Sequence, residues 1–166
     1  FKARYFKTDK FAYRATLFLA NNNNTENPNN QTVIKKDEFG FGLGFGAEKH
    51  FTGTERLSPY VGADVLAGLS SSKNKQTVTS AGGTTFVNEV KGPNNFRIGV
   101  RGVFGADYYF VKRVFLGVEA GLALTYESEG DTTIKATGSP DVTHDGGNNF
   151  NISPAVVTGI RIGYAF

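Results

Sequence analysis

The chain has no cysteine, no methionine and no tryptophan, and only five prolines in 166 residues. Without cysteine there is no disulfide framework, no thiolate zinc site and no Cys nucleophile. Without methionine, Phe1 is not a translation start, so an upstream segment is expected. No stretch reaches the roughly 18 consecutive apolar residues of a membrane helix, and the mean hydropathy is −0.27. Neither sign of charge dominates: Lys and Arg total 18 against 15 Asp and Glu, a formal net charge of +3. The arginines alternate along apolar segments and form no exposed helical stripe, which argues against a nucleic-acid surface.

Glycine and phenylalanine are plentiful. Gly 21 in 166 residues is roughly 13%, against a usual share of about 7%. Residues 38–49 show where they go: Phe39, Phe41, Leu43, Phe45 and Ala47 fall on one side of a period of two, and Gly40, Gly42, Gly44, Gly46 and Glu48 on the other. Strict alternation is the strand period. A helix would scatter the same residues around its circumference, and its interior glycines would cost about 1 kcal/mol each relative to Ala. The Gly-x-Gly-x-Gly-x-Gly run is therefore strand and not a phosphate loop, since no helix follows it.

Five further segments repeat the pattern. In residues 11–20, Arg14 falls opposite Tyr13, Ala15 and Leu17; in 60–70, Asp64 falls opposite Val61, Ala63 and Val65. In 96–109, Arg97, Arg101 and Asp107 oppose Ile98, Val100 and Phe104; in 114–126, Glu119 opposes Val118, Ala120 and Leu122. Residues 150–166 set Arg161 against Ile160, Ile162, Tyr164 and Phe166, and residues 1–6 look like the tail of another strand, with Lys2 and Arg4 opposing Phe1, Ala3 and Tyr5. Short connections at 7–10, about 50–57 and 111–113 alternate with long polar ones at 21–35, 71–95 and 127–149, as in an antiparallel meander with one trimmed end. The Asn-rich run at 21–30 reads as a mobile low-complexity loop.

The face opposite the large apolar residues is glycine plus isolated charges. A solvated sheet face gains nothing from repeated glycine, which weakens strands; a narrow lumen does, because small residues leave room for a few large charged ones. Aromatics flank the aliphatic stretch at both ends, with Phe11, Tyr13, Tyr108, Phe110, Tyr164 and Phe166 at the short-turn end and Phe39, Phe96, Tyr126 and Phe150 at the other. Two such bands match a bilayer's two interfaces. The apolar face is expected to meet lipid. The expected fold is all-β: a single domain over 1–166, an up-and-down antiparallel transmembrane β-barrel of eight strands when complete, about seven of them visible. Single-chain barrels have an even strand number, so a preceding strand and a signal peptide, or a closing strand from another chain, are expected.

The ending Gly159-Ile-Arg-Ile-Gly-Tyr-Ala-Phe166 resembles the C-terminal signal read by the barrel-assembly machinery, with Ile160, Ile162, Tyr164 and Phe166 as its positions. The opening Arg4-Tyr-Phe-Lys-Thr-Asp-Lys-Phe-Ala-Tyr-Arg-Ala-Thr-Leu resembles the first hairpin of small OmpX/OmpA-barrel-like outer-membrane proteins, especially those of Bacteroidetes. The resemblance covers the whole chain as pattern and implies a Gram-negative outer membrane, with long loops extracellular and short turns and C-terminus periplasmic. It also implies outer-membrane lipid, lipopolysaccharide, the assembly machinery and other outer-membrane proteins as partners.

Arg14, Glu48, Asp64, Arg97, Arg101, Asp107, Glu119 and Arg161 are the expected lumen charge network, joined by Lys2 and Arg4. Enclosed opposite charges must pair, because lone ones are heavily penalised. No catalytic residue, metal site or cofactor is expected. His50 and His144 are the only histidines, and neither stands in a His-x-Ser spacing with Ser153 or another serine. Asp141 with Asp145, and Glu127, Glu129 and Asp131, read as solvated loop charge before they read as a Ca²⁺ site. The expected role is non-enzymatic: a closed barrel whose loops contact partners or surface ligands, in one version as a subunit of a larger complex, with residues 75–90 and 132–137 exposing strand edges. A small passive channel is the alternative, and a lipid-modifying enzyme the third reading.

Overall fold

The computed structural model describes residues 1–154 and 157–164, and every regular element in them is a strand. In chain order these are β1 (Lys2–Thr8), β2 (Phe11–Asn29), β3 (Thr32–His50), β4 (Leu57–Thr79), β5 (Thr85–Val111), β6 (Val114–Glu129), β7 (Thr132–Ala136), β8 (Val142–His144), β9 (Asn148–Pro154) and β10 (Val157–Tyr164). The main path runs β1-β2-β3-β4-β5-β6-β10, each neighbour antiparallel to the last. β9 pairs with the upper part of β6, β7 with β5, and β8 with β7. This is the up-and-down order of a transmembrane β-barrel.

The interior is the polar side. Arg14, Glu48, His50, Asp64, Asp107 and Glu119 are buried, while Phe45, Val65, Phe104 and Leu122 are all more than half exposed. A water-soluble protein has no reason for that inversion; a wall facing hydrocarbon requires it. The period of two expected from the sequence holds along each of these strands.

Register explains the glycines. One cross-strand row inside the barrel reads Arg14, Gly46, Asp64, Arg101 and Ala123; another reads His50, Tyr60, Gly105 and Glu119; a third reads Ser58, Asp107, Gly117 and Arg161. Glycine thus stands between two large polar side chains that lean over it. A Cβ on Gly46 would lie 2.4 Å from Asp64 Oδ1, and one on Gly105 would lie 2.5 Å from the Tyr60 hydroxyl. The alternation of nothing and something large is how a narrow lumen is filled.

β1 and β10 bound the sheet, and among the described residues they do not pair with each other. An odd path of antiparallel neighbours makes these two edges run in the same direction, so antiparallel closure takes one more strand between them. A groove of about 420 Å³ marks this seam, with Lys2 and Arg4 on one bank and Arg161 and Ile162 on the other. Inward side chains already bridge it, as described below.

Two expectations about the connections need correction. Residues 21–29 are not a mobile loop but the continuation of β2, and residues 71–79 and 85–95 belong to β4 and β5. Polar composition hid the strand at 21–29, because nothing buries one face and so no apolar alternation results, whereas the protruding strands expected at 75–90 and 132–137 fall within β4, β5 and β7. The strands have 19, 19, 23 and 27 residues from β2 to β5, whereas about 9–11 suffice to cross a bilayer. The surplus forms a sheet standing beyond the apolar belt at the long-hairpin end. Residues 75–90 lie inside this sheet, flanked by β3, β4, β5 and in part β7, so their edges are covered. Among the described residues the uncovered edges are those of β1 and β10 at the seam, the upper part of β2, the far side of β9 and the outer side of β8.

Filling a glycine in the lumen should therefore cost more than filling one on the lipid face. Gly105→Val is expected to destabilise by about 1–3 kcal/mol through overpacking, while Gly102→Ala, whose Cβ meets nothing within 4 Å, is expected to be neutral or stabilising. Urea unfolding of the protein in lipid vesicles, followed by its gel mobility, measures both.

Candidate functional site

Each strand of the main path carries at least one charged side chain into the lumen, and their heights coincide. Arg14 on β2 is fully enclosed and touches three carboxylates: Nη1 reaches Glu48 Oε2 at 3.2 Å, Nη2 reaches Glu119 Oε1 at 2.9 Å, and Nε lies 2.8 Å from Asp64 Oδ1. The last contact is an ion pair without good hydrogen-bond direction. Those carboxylates come from β3, β6 and β4, so a single guanidinium spans the lumen.

The other members close around it. Arg101 donates to Asp64 Oδ2 through Nη2 at 2.6 Å and Nε at 3.0 Å. Lys2 reaches Glu119 at 2.8 Å, and Arg4 reaches Asp107 and, at 3.1 Å, Glu48. Arg161 of β10 approaches Glu119 at 3.3 Å and Asp107 at 3.6 Å. Lys2 and Arg4 thus join β1 to β6 and β5 across the seam. Five cations face four carboxylates, and every carboxylate has at least two cationic partners.

Tyr60 and His50 complete the cluster. The Tyr60 hydroxyl donates to Glu119 Oε2 at 2.8 Å and accepts from Arg161 Nη2. Arg4 lies over the Tyr60 ring at 5.3 Å, within the range of cation–π attraction. His50 sits between the Phe6 and Tyr60 rings, with Nδ1 2.7 Å from Ser58 Oγ and Nε2 3.2 Å from Glu48 Oε1. The arrangement satisfies its charges mutually, each carboxylate meeting at least two cations.

Of the expected lumen residues, Arg14, Glu48, Asp64, Arg101, Asp107, Glu119 and Arg161 are brought together. Arg97 is not: it lies nearer the mouth, its side chain is 57% exposed, and it pairs with Glu127 at 2.8 Å. Parity gave its face and not its height; the nearest carboxylate at that level is a loop-proximal one. Tyr60 and His50 were missed. Tyr60 opens its apolar segment, and His50 had been placed at a turn, whereas β3 runs on to it. Continuing the inward parity of Glu48 by two residues would have found the histidine.

Of the C-terminal assembly positions, Ile162 and Tyr164 are more than half exposed on β10. Ile160 lies in β10 with its side chain outside the described residues, as is Phe166 altogether. His144 of β8 stands opposite Thr132 of β7, and Ser153 of β9 opposite Ala123 of β6. Asp141 is engaged by Lys135, and Glu127 by Arg97. Among the described residues no three His, Asp or Glu side chains are grouped as metal ligands would be.

An apolar wall around a charge-packed lumen, in an antiparallel meander, defines a small outer-membrane β-barrel. The family model described as "Putative OmpA-OmpF-like porin family" matches residues 9–138, and the chain belongs to that family. No curated protein and no solved structure matches it. The matched range runs from the turn before β2 through β7, and holds Arg14, Glu48, Asp64, Arg101, Asp107 and Glu119.

Removing one member should be far more damaging than its own contacts suggest, because its partners stay buried. Glu119→Gln leaves Lys2, Arg14 and Arg161 short of an anion and is expected to cost about 3–5 kcal/mol, read from the urea midpoint in vesicles. Arg97→Gln, at the exposed mouth, is expected to change it by no more than about 0–1 kcal/mol.

Proposed function

We propose that this protein is a non-enzymatic outer-membrane barrel whose lumen is shut by its own ion pairs and whose tall hairpins provide the contact surface. The observation that carries this reading is Arg14, fully enclosed and held by Glu48, Asp64 and Glu119 from three other strands. A guanidinium in that position occupies the path a solute would take. Displacing it would strand three buried carboxylates, a cost of several kcal/mol.

The orientation follows the usual asymmetry of such barrels. Short turns and the C-terminus lie in the periplasm and the long hairpins outside the cell. The hairpin sheet then offers uncovered edges, among them the upper part of β2 and β8, to which a partner strand can add. Neighbouring outer-membrane proteins, or a larger complex containing this barrel as a subunit, fit such edges, and assembly relies on the barrel-assembly machinery. No catalytic residue or cofactor is assigned.

A second reading, a narrow channel preferring anions, has an observation of its own. Above the ion cluster the lumen holds a cavity of about 330 Å³ lined by Phe18, Leu66, Arg97, Arg101 and Glu127, and the cluster itself carries one cation more than it has carboxylates. Planar-bilayer recording separates the two. The closed reading expects no steady conductance from the wild type, and stepwise openings from a protein carrying Arg14→Ser with Arg101→Ser. Steady anion-selective current through the wild type would instead establish the channel.

A further inference from the structure

Above the belt, the strands keep the parity that faces lipid lower down. Phe39, Ser71 and Asn94 form one cross-strand row on that face; Asp37, Lys73 and Lys91 form the next. Lys35, Lys75 and Glu89 form the row beyond, which β7 extends with Lys135. Two of these pairings set lysine directly opposite lysine: Lys73 with Lys91, and Lys35 with Lys75. Like charges directly opposite each other destabilise a sheet.

The first pair is neutralised from within. Glu89 reaches Lys73 and Lys91 at 3.3 Å each. Desolvation works against its charge, yet the two ammonium groups hold its carboxyl below the ordinary range. The second pair has no such help. Glu89 stands opposite Lys75 in register but is taken up by the other two lysines. Among the described residues, no carboxylate lies within ion-pair distance of Lys35 or Lys75. A sheet that places two uncompensated ammonium groups side by side has a vacancy for an anion.

Height identifies the anion. Lys73 and Lys75 follow the exposed belt residue Leu69 by four and six positions on β4. At about 3.3 Å per residue and a tilt of about 40°, that is roughly 10–15 Å beyond the belt, where lipid headgroups lie. A groove of about 460 Å³ runs at the same level, but its lining sets Asp37, Glu38 and Asp131 against Lys73 and Lys91, so the uncompensated positive charge lies outside it, at Lys35 and Lys75. Below the two lysines the outward wall continues through Phe39, Phe41 and Leu69, along which the chains of a lipid can run.

We propose that Lys35 and Lys75, side by side above the apolar wall, bind the phosphate-bearing headgroup of a lipid in the leaflet surrounding the long hairpins. This rests on the membrane placement proposed above and adds a specific site to it. A bound phosphate would bridge the two ammonium groups as Glu89 bridges Lys73 and Lys91. It would also fix the standing sheet against the membrane surface.

The test uses the full chain folded into dioleoylphosphatidylcholine vesicles with and without a minor fraction of dioleoylphosphatidic acid, followed by native mass spectrometry of retained lipid. Wild type is expected to retain phosphatidic acid about tenfold over phosphatidylcholine, as two lysines near an anionic headgroup allow. Lys35→Gln with Lys75→Gln is expected to fall to about twofold or less. In pure phosphatidylcholine the same variant should unfold at equal or higher urea, since a repulsion has been removed. Lys36→Gln, on the opposite face, should keep the wild-type preference. Retention of that preference by the Lys35/Lys75 variant would overturn the site. Displacement of phosphatidic acid by inorganic phosphate would overturn the lipid as its ligand. Failure of the wild type to insert into either vesicle would overturn the membrane placement itself.

Discussion

Register is the constraint on which everything else in this barrel depends. Side chains alternate with a period of two, so a slip of one residue in any strand would turn its lumen charge toward lipid and its apolar residues inward. Near the bilayer midplane such a charge costs about 2–4 kcal/mol for Arg or Lys. Arg14, Glu48, Asp64, Arg101, Glu119 and Arg161 sit on six different strands or strand ends, yet their heights meet in one cluster. Only one registration of the sheet brings them together. The ion pairs therefore do less to raise stability than to single out one arrangement, which is the use of buried charge that physical chemistry supports best.

The same constraint accounts for the composition. Glycine is abundant because long charged side chains lie across neighbours with no side chain, as Asp64 does over Gly46 and Asp107 over Gly117. Phenylalanine is abundant because the outer wall is solvated by hydrocarbon, and exposed Phe45 and Phe104 are at home there. Averaging a polar interior with an apolar exterior gives a mean hydropathy of −0.27, a value that describes neither face. Above the belt the apolar requirement lapses, and the strands continue with Asn, Ser, Thr and Lys in the same pairing.

The sequence made the membrane-crossing parts readable and left the rest obscure, for a physical reason. Where one face meets lipid and the other a lumen, the contrast between neighbours is large, so residues 38–49 and 96–109 announce themselves. In residues 21–29 both faces meet water, contrast vanishes, and a strand looks like a loop. Parity also locates a residue on a face but says nothing of depth, which is why Arg97 was grouped with a cluster it stands above. His50 and Tyr60 lay at segment ends, where one further step of alternation decides between turn and lumen. The opposed lysines Lys35 and Lys75 emerge only once the register of β3 against β4 is known, since 40 residues of sequence separate them.

Whether the lumen charges act as one unit is the point on which this account turns, and a double-mutant cycle between Arg14 and Glu119 addresses it most directly. These two residues come from β2 and β6, on opposite sides of the lumen, and meet at 2.9 Å. Unfolding free energies in vesicles for Arg14→Met, Glu119→Leu and the pair together give the coupling. The account predicts that the double variant recovers much of the loss, with a coupling of about 1.5–3 kcal/mol. Strictly additive losses would contradict it, because they would mean that each charge is solvated separately and that the lumen is open to water.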